Sequence, residues 1–318
     1  MKKKVLVTAL CDEKTQKQLI EQFNEEYEFF FAFDDPKLAV EMLPYAEILI
    51  GAPEEEELEA AKSLKWLQLP WAGYDKFAAM KNFPKGVAVT NASGAFGVII
   101  SEYVIGSLIS LYRSFPRYWS NQKEHVWHEK DNADTIFHKK ILILGTGDLG
   151  SNVAKRIKAF DTEVIGLRKN PKVNTAKHFD SVFGLEDLDS LLGSVDIVVG
   201  CLPSNSETEG LFDYDRLMKM KKDAVIINVG RGTLIKTEDL IKALSEGHLR
   251  GAILDVTEVE PLPEDCPLWD MDNVIITPHM SGPSYGDNED VVKWIWDISI
   301  ENLCRYLKEE DLTNKVSF

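Results

Sequence analysis

The sequence predicts an α/β protein built from two doubly wound parallel-sheet domains. Three observations carry that expectation. Apolar runs of strand length alternate with helical patterns almost throughout, the arrangement that parallel sheets require. The strands fall into two series, separated by one long apolar helix. A length of 318 residues suits about two domains, and 44% hydrophobic residues is enough to fill their cores.

In the first series, Lys4–Leu10, Glu28–Phe33 and Ile48–Gly51 read as strands, with helical patterns over Thr15–Glu25 and Asp35–Met42 between them. Leu64–Leu69 and Val87–Thr90 are further strands, and the acidic run Glu54–Glu57 reads as a solvated helix start. Ala95–Tyr112 is the longest apolar segment. Glu102 and several serines interrupt it, which predicts a buried helix; a membrane span needs a cleaner run of about 20 residues. The second series is Lys140–Leu144, Glu163–Leu167, Asp196–Cys201, Ala224–Val229, Gly251–Val256 and Asn273–Ile276. A helical tail over Asp287–Leu312 closes the chain.

Charge and cysteine usage exclude several classes. With 52 acidic and 36 basic side chains, the formal charge of −16 repels phosphate backbones and anionic lipid. Neither a nucleic acid nor a membrane is therefore the expected partner. Cys11, Cys201, Cys266 and Cys304 are scattered, without C-x-x-C pairs or ligand-like histidine spacing. No metal site is expected, and reduced thiols fit a cytoplasmic location. The start, Met-Lys-Lys-Lys, is followed by an apolar run of only six residues, too short for a signal core, so it reads as a first strand.

Chemistry begins at Ile141-Leu-Ile-Leu-Gly-Thr-Gly-Asp-Leu-Gly150, an apolar strand feeding G-x-G-x-x-G and then a helical Ser151–Ala159. Gly145 permits the tight turn, Gly147 the approach of a pyrophosphate, and Gly150 the close packing of helix on strand. Backbone N–H groups near Thr146, Asp148 and Leu149 face the anion. This order of strand, turn, helix and strand predicts a dinucleotide site on a Rossmann domain. The next strand ends in Gly166-Leu-Arg-Lys-Asn170, with Arg168 lying 18 residues after Gly150. NAD binding favours a carboxylate there, to accept from the ribose hydroxyls, and this strand end has none. Arg168 and Lys169 suit the 2′-phosphate of NADP instead, so NADP is the preferred cofactor and NAD the alternative. Two solvated cations at a strand end are the plainer reading.

Three ionisable residues follow three strands of the second series. Arg231 comes after Ala224–Val229, Glu260 after Gly251–Val256, and His279 after Asn273–Ile276. Each alone has a dull explanation: a turn, a surface acid, a loop residue. Together they share the carboxyl edge of an open sheet, where ligands bind. A histidine donating a proton, a carboxylate holding its ring and an arginine polarising a carbonyl fit carbonyl reduction by hydride.

These stretches resemble the D-isomer-specific 2-hydroxyacid dehydrogenase family over essentially the whole length. The resemblance is carried by Leu64-Lys-Trp-Leu-Gln, Ala72-Gly-Tyr-Asp75, Thr90-Asn91, Ser101-Glu-Tyr103, the glycine turn and Leu202-Pro203. It is carried most specifically by Asn228-Val-Gly-Arg-Gly-Thr-Leu-Ile235, Asp255-Val-Thr-Glu-Val-Glu-Pro-Leu-Pro263 and Thr277-Pro-His-Met-Ser-Gly282. The resemblance implies that Arg231, Glu260 and His279 are catalytic, and that Arg231 and His279 also hold substrate. Backbone N–H groups at Ala72, Gly73 and Tyr74 would meet the substrate carboxylate. Asp255 would hold the nicotinamide amide, while Cys201, Leu202, Pro203 and Thr208 would line the adenosine side. Val229, Gly230, Ser281 and Gly282 would complete the cofactor contacts.

By the same resemblance, residues 98–287 form the Rossmann domain, inserted in a discontinuous flavodoxin-like substrate domain of residues 1–97 and 288–318. The helix from about Val98 to Tyr112 would be the crossing between them, with closure over the substrate, and Glu102 a structural or hinge acid. Tyr74 departs from the small aliphatic residue of many relatives, narrowing the pocket or adding a hydroxyl. Arg117–Trp127 resembles the family's dimerisation arm, which implies a homodimer, with Trp127 expected at the interface and a place in a pocket as the alternative. The expected activity is reduction of a small 2-oxo acid, such as glyoxylate or hydroxypyruvate, to a D-2-hydroxy acid. Formate dehydrogenases fit poorly, since they place Gln where Glu260 stands. Phosphite dehydrogenases and nucleotide-sensing corepressors of the same fold keep the triad and remain as alternatives.

Overall fold

The computed structural model describes residues 2–129, 134–171, 177–282 and 288–316. The chain divides into two compact units, Met1–Phe96 with Pro283–Phe318, and Gly97–Gly282. The breaks fall one residue before the expected 97/98 and five before the expected 287/288. Residues 283–287, including the expected start of the tail helix at Asp287, lie outside those described.

The first unit opens with β1 (Lys3–Val7), α1 (Glu13–Phe23), β2 (Tyr27–Phe31), α2 (Pro36–Met42) and β3 (Ile48–Ile50). It continues with α3 (Glu55–Ala60), β4 (Trp66–Gln68), α4 (Asp75–Ala78) and β5 (Ala88–Thr90). The helices begin where short acceptors satisfy free N–H groups. Asp12 accepts from Thr15 N at 2.7 Å, and Glu57 Oε2 accepts from Glu54 N at 2.8 Å, so the acidic run is a capping box. All five strands are parallel, in the order β2-β1-β3-β4-β5, the flavodoxin-like arrangement. Side chains alternate between faces along a strand. One face therefore carries a buried row of Leu6, Leu49, Leu67 and Val89, and the other a row of Val5, Ile48 and Trp66.

The second unit starts with α5 (Gly97–Tyr112) and α6 (Phe115–Lys123), followed by β6 (Lys140–Leu144), α7 (Asp148–Ile157), β7 (Glu163–Leu167) and β8 (Ser181–Phe183). Then come α8 (Leu188–Leu192), β9 (Ile197–Gly200), α9 (Tyr214–Lys219), β10 (Val225–Asn228), α10 (Thr237–Ser245), β11 (Gly251–Leu254) and β12 (Val274–Ile276). These seven strands form one parallel sheet, ordered β8-β7-β6-β9-β10-β11-β12. Both faces are covered, which is why the strands read as continuous apolar runs. Val164, Ile141, Ile197 and Val225 face the cluster containing Val104 and Leu108 of α5 and Val153 of α7. Ile165, Leu142, Val198 and Ile226 face the other cluster, with Leu192, Leu217 and Leu240.

Six strands were expected in this sheet, and β8 was not among them. It is a three-residue edge strand, Ser-Val-Phe, partly exposed throughout, so it lacks the apolar run that marks its neighbours. With it the order becomes the Rossmann 3-2-1-4-5-6, and the strand at Val274 is a seventh. The apolar segment ending at Tyr112 is a core helix, as expected. Among the described residues no single helix is long and apolar enough to cross a membrane; α5 and α6 satisfy length and composition only as a pair bent by 66°.

The chain returns to the first unit with α11 (Glu289–Leu307), capped by Asn288 on Val291 N at 3.0 Å, and β13 (Lys315–Val316). β13 was also unexpected; it pairs antiparallel with β5 at the sheet edge. A buried polar chain ties this return to the sheet. Trp66 Nε1 donates to Thr90 Oγ1 at 2.8 Å, and Thr90 Oγ1 to Gln68 Oε1 at 2.7 Å. Asn302 Nδ2 donates to Gln68 Oε1 and to Thr313 O, both at 3.1 Å, and Asn302 Oδ1 accepts from Thr313 N at 2.8 Å. Asn302→Leu leaves Thr313 N without its acceptor and removes both donors. The expected loss is about 2–4 kcal/mol in urea unfolding.

Candidate active site

The candidate residues of the second unit lie along the carboxyl edge of its sheet, in spatial order. Arg168 and Lys169 follow β7, the glycine turn follows β6, and Cys201–Pro203 follow β9. Arg231 then follows β10, Asp255 and Glu260 follow β11, and His279 follows β12. The strand order reverses between β6 and β9, which makes the glycine turn the switch point of the sheet.

The three glycines of that turn differ in what surrounds them. Gly145 has φ +100°, a conformation that favours glycine. A Cβ on Gly150 would overlap the Gly145 carbonyl oxygen, so this glycine is required by the packing of α7 against the turn. A Cβ on Gly147 would meet nothing within 4 Å. Gly147 caps the N-terminus of α7, whose first-turn N–H groups lack intrahelical acceptors. Open space at a helix N-terminus fits a pyrophosphate approaching the backbone. Burial pushes the Cys201 thiol up to about 12, so it stands on the adjoining wall as a neutral, apolar group. Thr208 is buried, and its hydroxyl donates to Pro203 O at 2.7 Å, closing the turn behind Leu202 and Pro203.

The end of β7 brings a correction. Within this segment no carboxylate follows the strand, but the fold supplies one from elsewhere. Glu207, in the loop after β9, lies 2.9 and 2.8 Å by its two oxygens from Lys169 Nζ. Neighbouring crossovers bring residues 38 positions apart to one edge, which spacing along the chain does not reveal. Arg168 is partly buried, its backbone N–H donating to Phe183 O of β8 at 3.0 Å.

His279 Nδ1 lies 2.9 Å from Glu260 Oε2. A carboxylate only accepts, so Nδ1 carries the proton of this bond and Nε2 is the nitrogen that exchanges one. Glu260 Oε1 is held by Thr257 N at 3.0 Å, which fixes the carboxylate. His279 sits at φ 53°, a left-handed conformation that costs a non-glycine residue about 1 kcal/mol or more unless its surroundings impose it. Asp255 imposes it. Its Oδ1 accepts from Thr277 Oγ1 at 2.7 Å, Met280 N at 2.8 Å and Ser281 N at 2.9 Å, while Oδ2 accepts from Ser281 Oγ. The His279 N–H donates to Asp255 O at 2.8 Å. Asp255, expected to take the nicotinamide amide, is 2% exposed and receives these four donors, through which it anchors the histidine loop.

Arg231 is carried by a loop pinned to the same region. Asn228 Nδ2 donates to Arg231 O at 2.9 Å, and a Cβ on Gly232 would overlap the Thr257 carbonyl oxygen. Arg231 Nη1 donates to Gly230 O at 2.9 Å. Val229 and Gly230 are buried beside it; Ser281 is buried and Gly282 partly so. In the first unit, Ala72, Gly73 and Tyr74 form the loop between β4 and α4, with Ala72 exposed and the other two partly buried. Asn91 Nδ2 holds the Ala72 carbonyl at 2.6 Å, which gives the Thr90-Asn91 pair its local role.

Residues 105–281 match the model of the D-isomer specific 2-hydroxyacid dehydrogenase NAD binding domain, more than half of the chain. The chain belongs to the D-isomer-specific 2-hydroxyacid dehydrogenase family. It is 30% identical over 311 residues to a glyoxylate reductase of Pyrococcus horikoshii, covering 93% of this chain and 91% of that one. A family member from Aeromonas salmonicida matches its structure with a TM-score of 0.87 at 32% identity, covering 100% of this chain and 99% of the other. A second family member, from Xanthobacter autotrophicus in complex with NADPH and MES, matches with a TM-score of 0.80 at 28% identity, over 99% and 98% of the two chains.

Two residues of this dehydrogenase were given no role from the sequence. One is Glu207. The other is Tyr103 on α5, whose hydroxyl lies 2.7 Å from Thr277 Oγ1. Thr277 already donates to Asp255, so Tyr103 is the donor of this pair, and burial pushes its pKa up, keeping the proton in place. The contact joins positions 174 apart, and no local pattern announces it. The glycine turn gives a test that separates fold from ligand. Gly147→Ala is expected to leave the melting temperature within about 2 °C while weakening dinucleotide binding about tenfold or more. Gly150→Ala is expected to destabilise the protein itself, with a clear drop in melting temperature whether or not nucleotide is present.

Proposed function

We propose that this dehydrogenase reduces small 2-oxo acids of the glyoxylate or hydroxypyruvate kind to D-2-hydroxy acids, using NADPH in preference to NADH. The observation that carries this reading is the His279–Glu260 pair at 2.9 Å, on the sheet edge that also bears the glycine turn. The open cradle at Gly147 fits the pyrophosphate of a dinucleotide. Cys201, Leu202, Pro203, Val229 and Gly230 would line its course along the edge. When bound, the nicotinamide supplies hydride to the carbonyl carbon.

The chain's own residues supply the rest. Arg231 binds the substrate carboxylate and polarises the adjacent carbonyl. Glu260 accepts from Nδ1, which fixes the tautomer and aims the ring. Nε2–H then gives its proton to the carbonyl oxygen as negative charge develops there. In the reverse direction the same nitrogen takes the hydroxyl proton.

Arg168 and Lys169 support NADPH, since a guanidinium and an ammonium recognise a phosphate where a ribose hydroxyl calls for an acceptor. The relative in complex with NADPH points the same way. The exposed apolar side chains Phe115, Trp119, Val126 and Trp127 support a homodimer formed through α6 and the segment after it. Trp127→Glu is expected to shift the protein toward monomer in light scattering.

Kinetics with NADPH and NADH over glyoxylate, hydroxypyruvate, pyruvate and phenylpyruvate test the reading directly. NADPH should show the higher kcat/KM, and no oxidation of either cofactor with any of the four acids would sink the proposal. His279→Gln is expected to lower kcat about 10²-fold or more, and Arg231→Gln to act mainly on substrate use. Full activity in His279→Gln would remove the histidine from the mechanism.

A further inference from the structure

Lys169 does not stand alone at the end of β7. Glu207 holds it by both carboxylate oxygens, at 2.9 and 2.8 Å. Glu207 is itself placed by its loop: its N–H donates to Asn205 Oδ1 at 2.9 Å, and Thr208 Oγ1 accepts from Asn205 N at 3.0 Å. β7 and β9 are not adjacent in the sheet. β6 lies between them, with the glycine turn at its carboxyl end. The ion pair therefore reaches from one neighbour of β6 to the other, across the switch point.

Both side chains remain open to solvent, at 81% exposure for Lys169 and 50% for Glu207. Such a pair adds little to stability and exchanges partners readily. Its consequence lies in what an arriving ribose meets. A 2′-hydroxyl finds in Glu207 a hydrogen-bond acceptor. A 2′-phosphate finds a like charge already engaged with the ammonium that it needs.

The geometry points to Glu207 as a cofactor-specificity residue, a carboxylate that competes with the 2′-phosphate for Lys169 and so moderates the preference for NADPH. This role rests on the reading that Arg168 and Lys169 face the 2′-phosphate. It replaces the picture of an unopposed basic pair with a balanced one, in which the acid arrives from a different crossover.

Equilibrium binding to the full-length protein tests it without turnover. Adenosine 2′,5′-bisphosphate and adenosine 5′-monophosphate share the nucleoside and differ in the 2′-phosphate. In Glu207→Gln the bisphosphate Kd should fall about three- to tenfold, while the monophosphate Kd stays within about twofold. Glu207→Ala should shift the bisphosphate in the same direction, and the gain should shrink as salt is raised to about 0.5 M. An unchanged or weaker bisphosphate affinity in both variants overturns the role. Lys169→Ala and Arg168→Ala separate the two ideas. If they weaken the bisphosphate selectively while the Glu207 variants do nothing, the cofactor reading stands and the role of Glu207 falls. If they leave the ratio of the two affinities untouched, both fall together.

Discussion

The histidine end of this site depends on one buried carboxylate. Asp255, directly after β11, gathers Thr277, Met280 and Ser281 around its side chain and the His279 N–H on its own carbonyl. A left-handed histidine is unfavourable in isolation, and it persists where its surroundings over-determine it. Hydrogen bonds to a charged acceptor in a dry site are among the stronger polar interactions available. The loop after β12 is thereby tied to the end of β11, and Glu260, from that same β11 segment, meets the imidazole at the right distance. Tyr103 extends the chain of donors to α5. The histidine–carboxylate pair is thus a property of two adjacent strand ends.

The other end is built on looser physics. Around the glycine turn the packing is tight where the fold needs it, at Gly150, and open where a ligand would come, at Gly147. Lys169 and Glu207 form a solvent-exposed ion pair, which is cheap to rearrange. A rigid histidine end and an adjustable end beside the glycine turn suit a dehydrogenase that must hold its reacting groups closely and still release a nucleotide. Changes of charge at the exposed end are separated from the histidine loop, because the two lie apart along one sheet edge.

Much of this was legible in the residues. Continuous apolar runs such as Ile141–Leu144 and Val225–Ile227 announce strands buried on both faces, and the motifs after them announce the edge on which ligands bind. Arg231, Glu260 and His279 could be named because each lies in the segment after a strand of that sheet. The short strands at Ser181 and Lys315 escaped, since three- and two-residue edge strands carry no periodicity and exist only through their partners. The Asn302 network escaped for the same reason, as it joins Gln68, Thr90 and Thr313 across most of the chain.

By itself the sequence determined the two parallel sheets, the phosphate turn with its distinct glycines, and the identity of the ionisable residues at the strand ends. These follow from hydrophobic periodicity, from glycine's lack of a side chain and from motif spacing, all of which act over a few residues. Tertiary structure alone decided how those groups are employed. It made Asp255 the anchor of the histidine loop, recruited Tyr103 to support it, and set Glu207 against Lys169. The physical reason is common to all three. Hydrogen bonds and ion pairs depend on separations of about 3 Å in space, and crossover connections bring together residues whose distance along the chain says nothing of that separation.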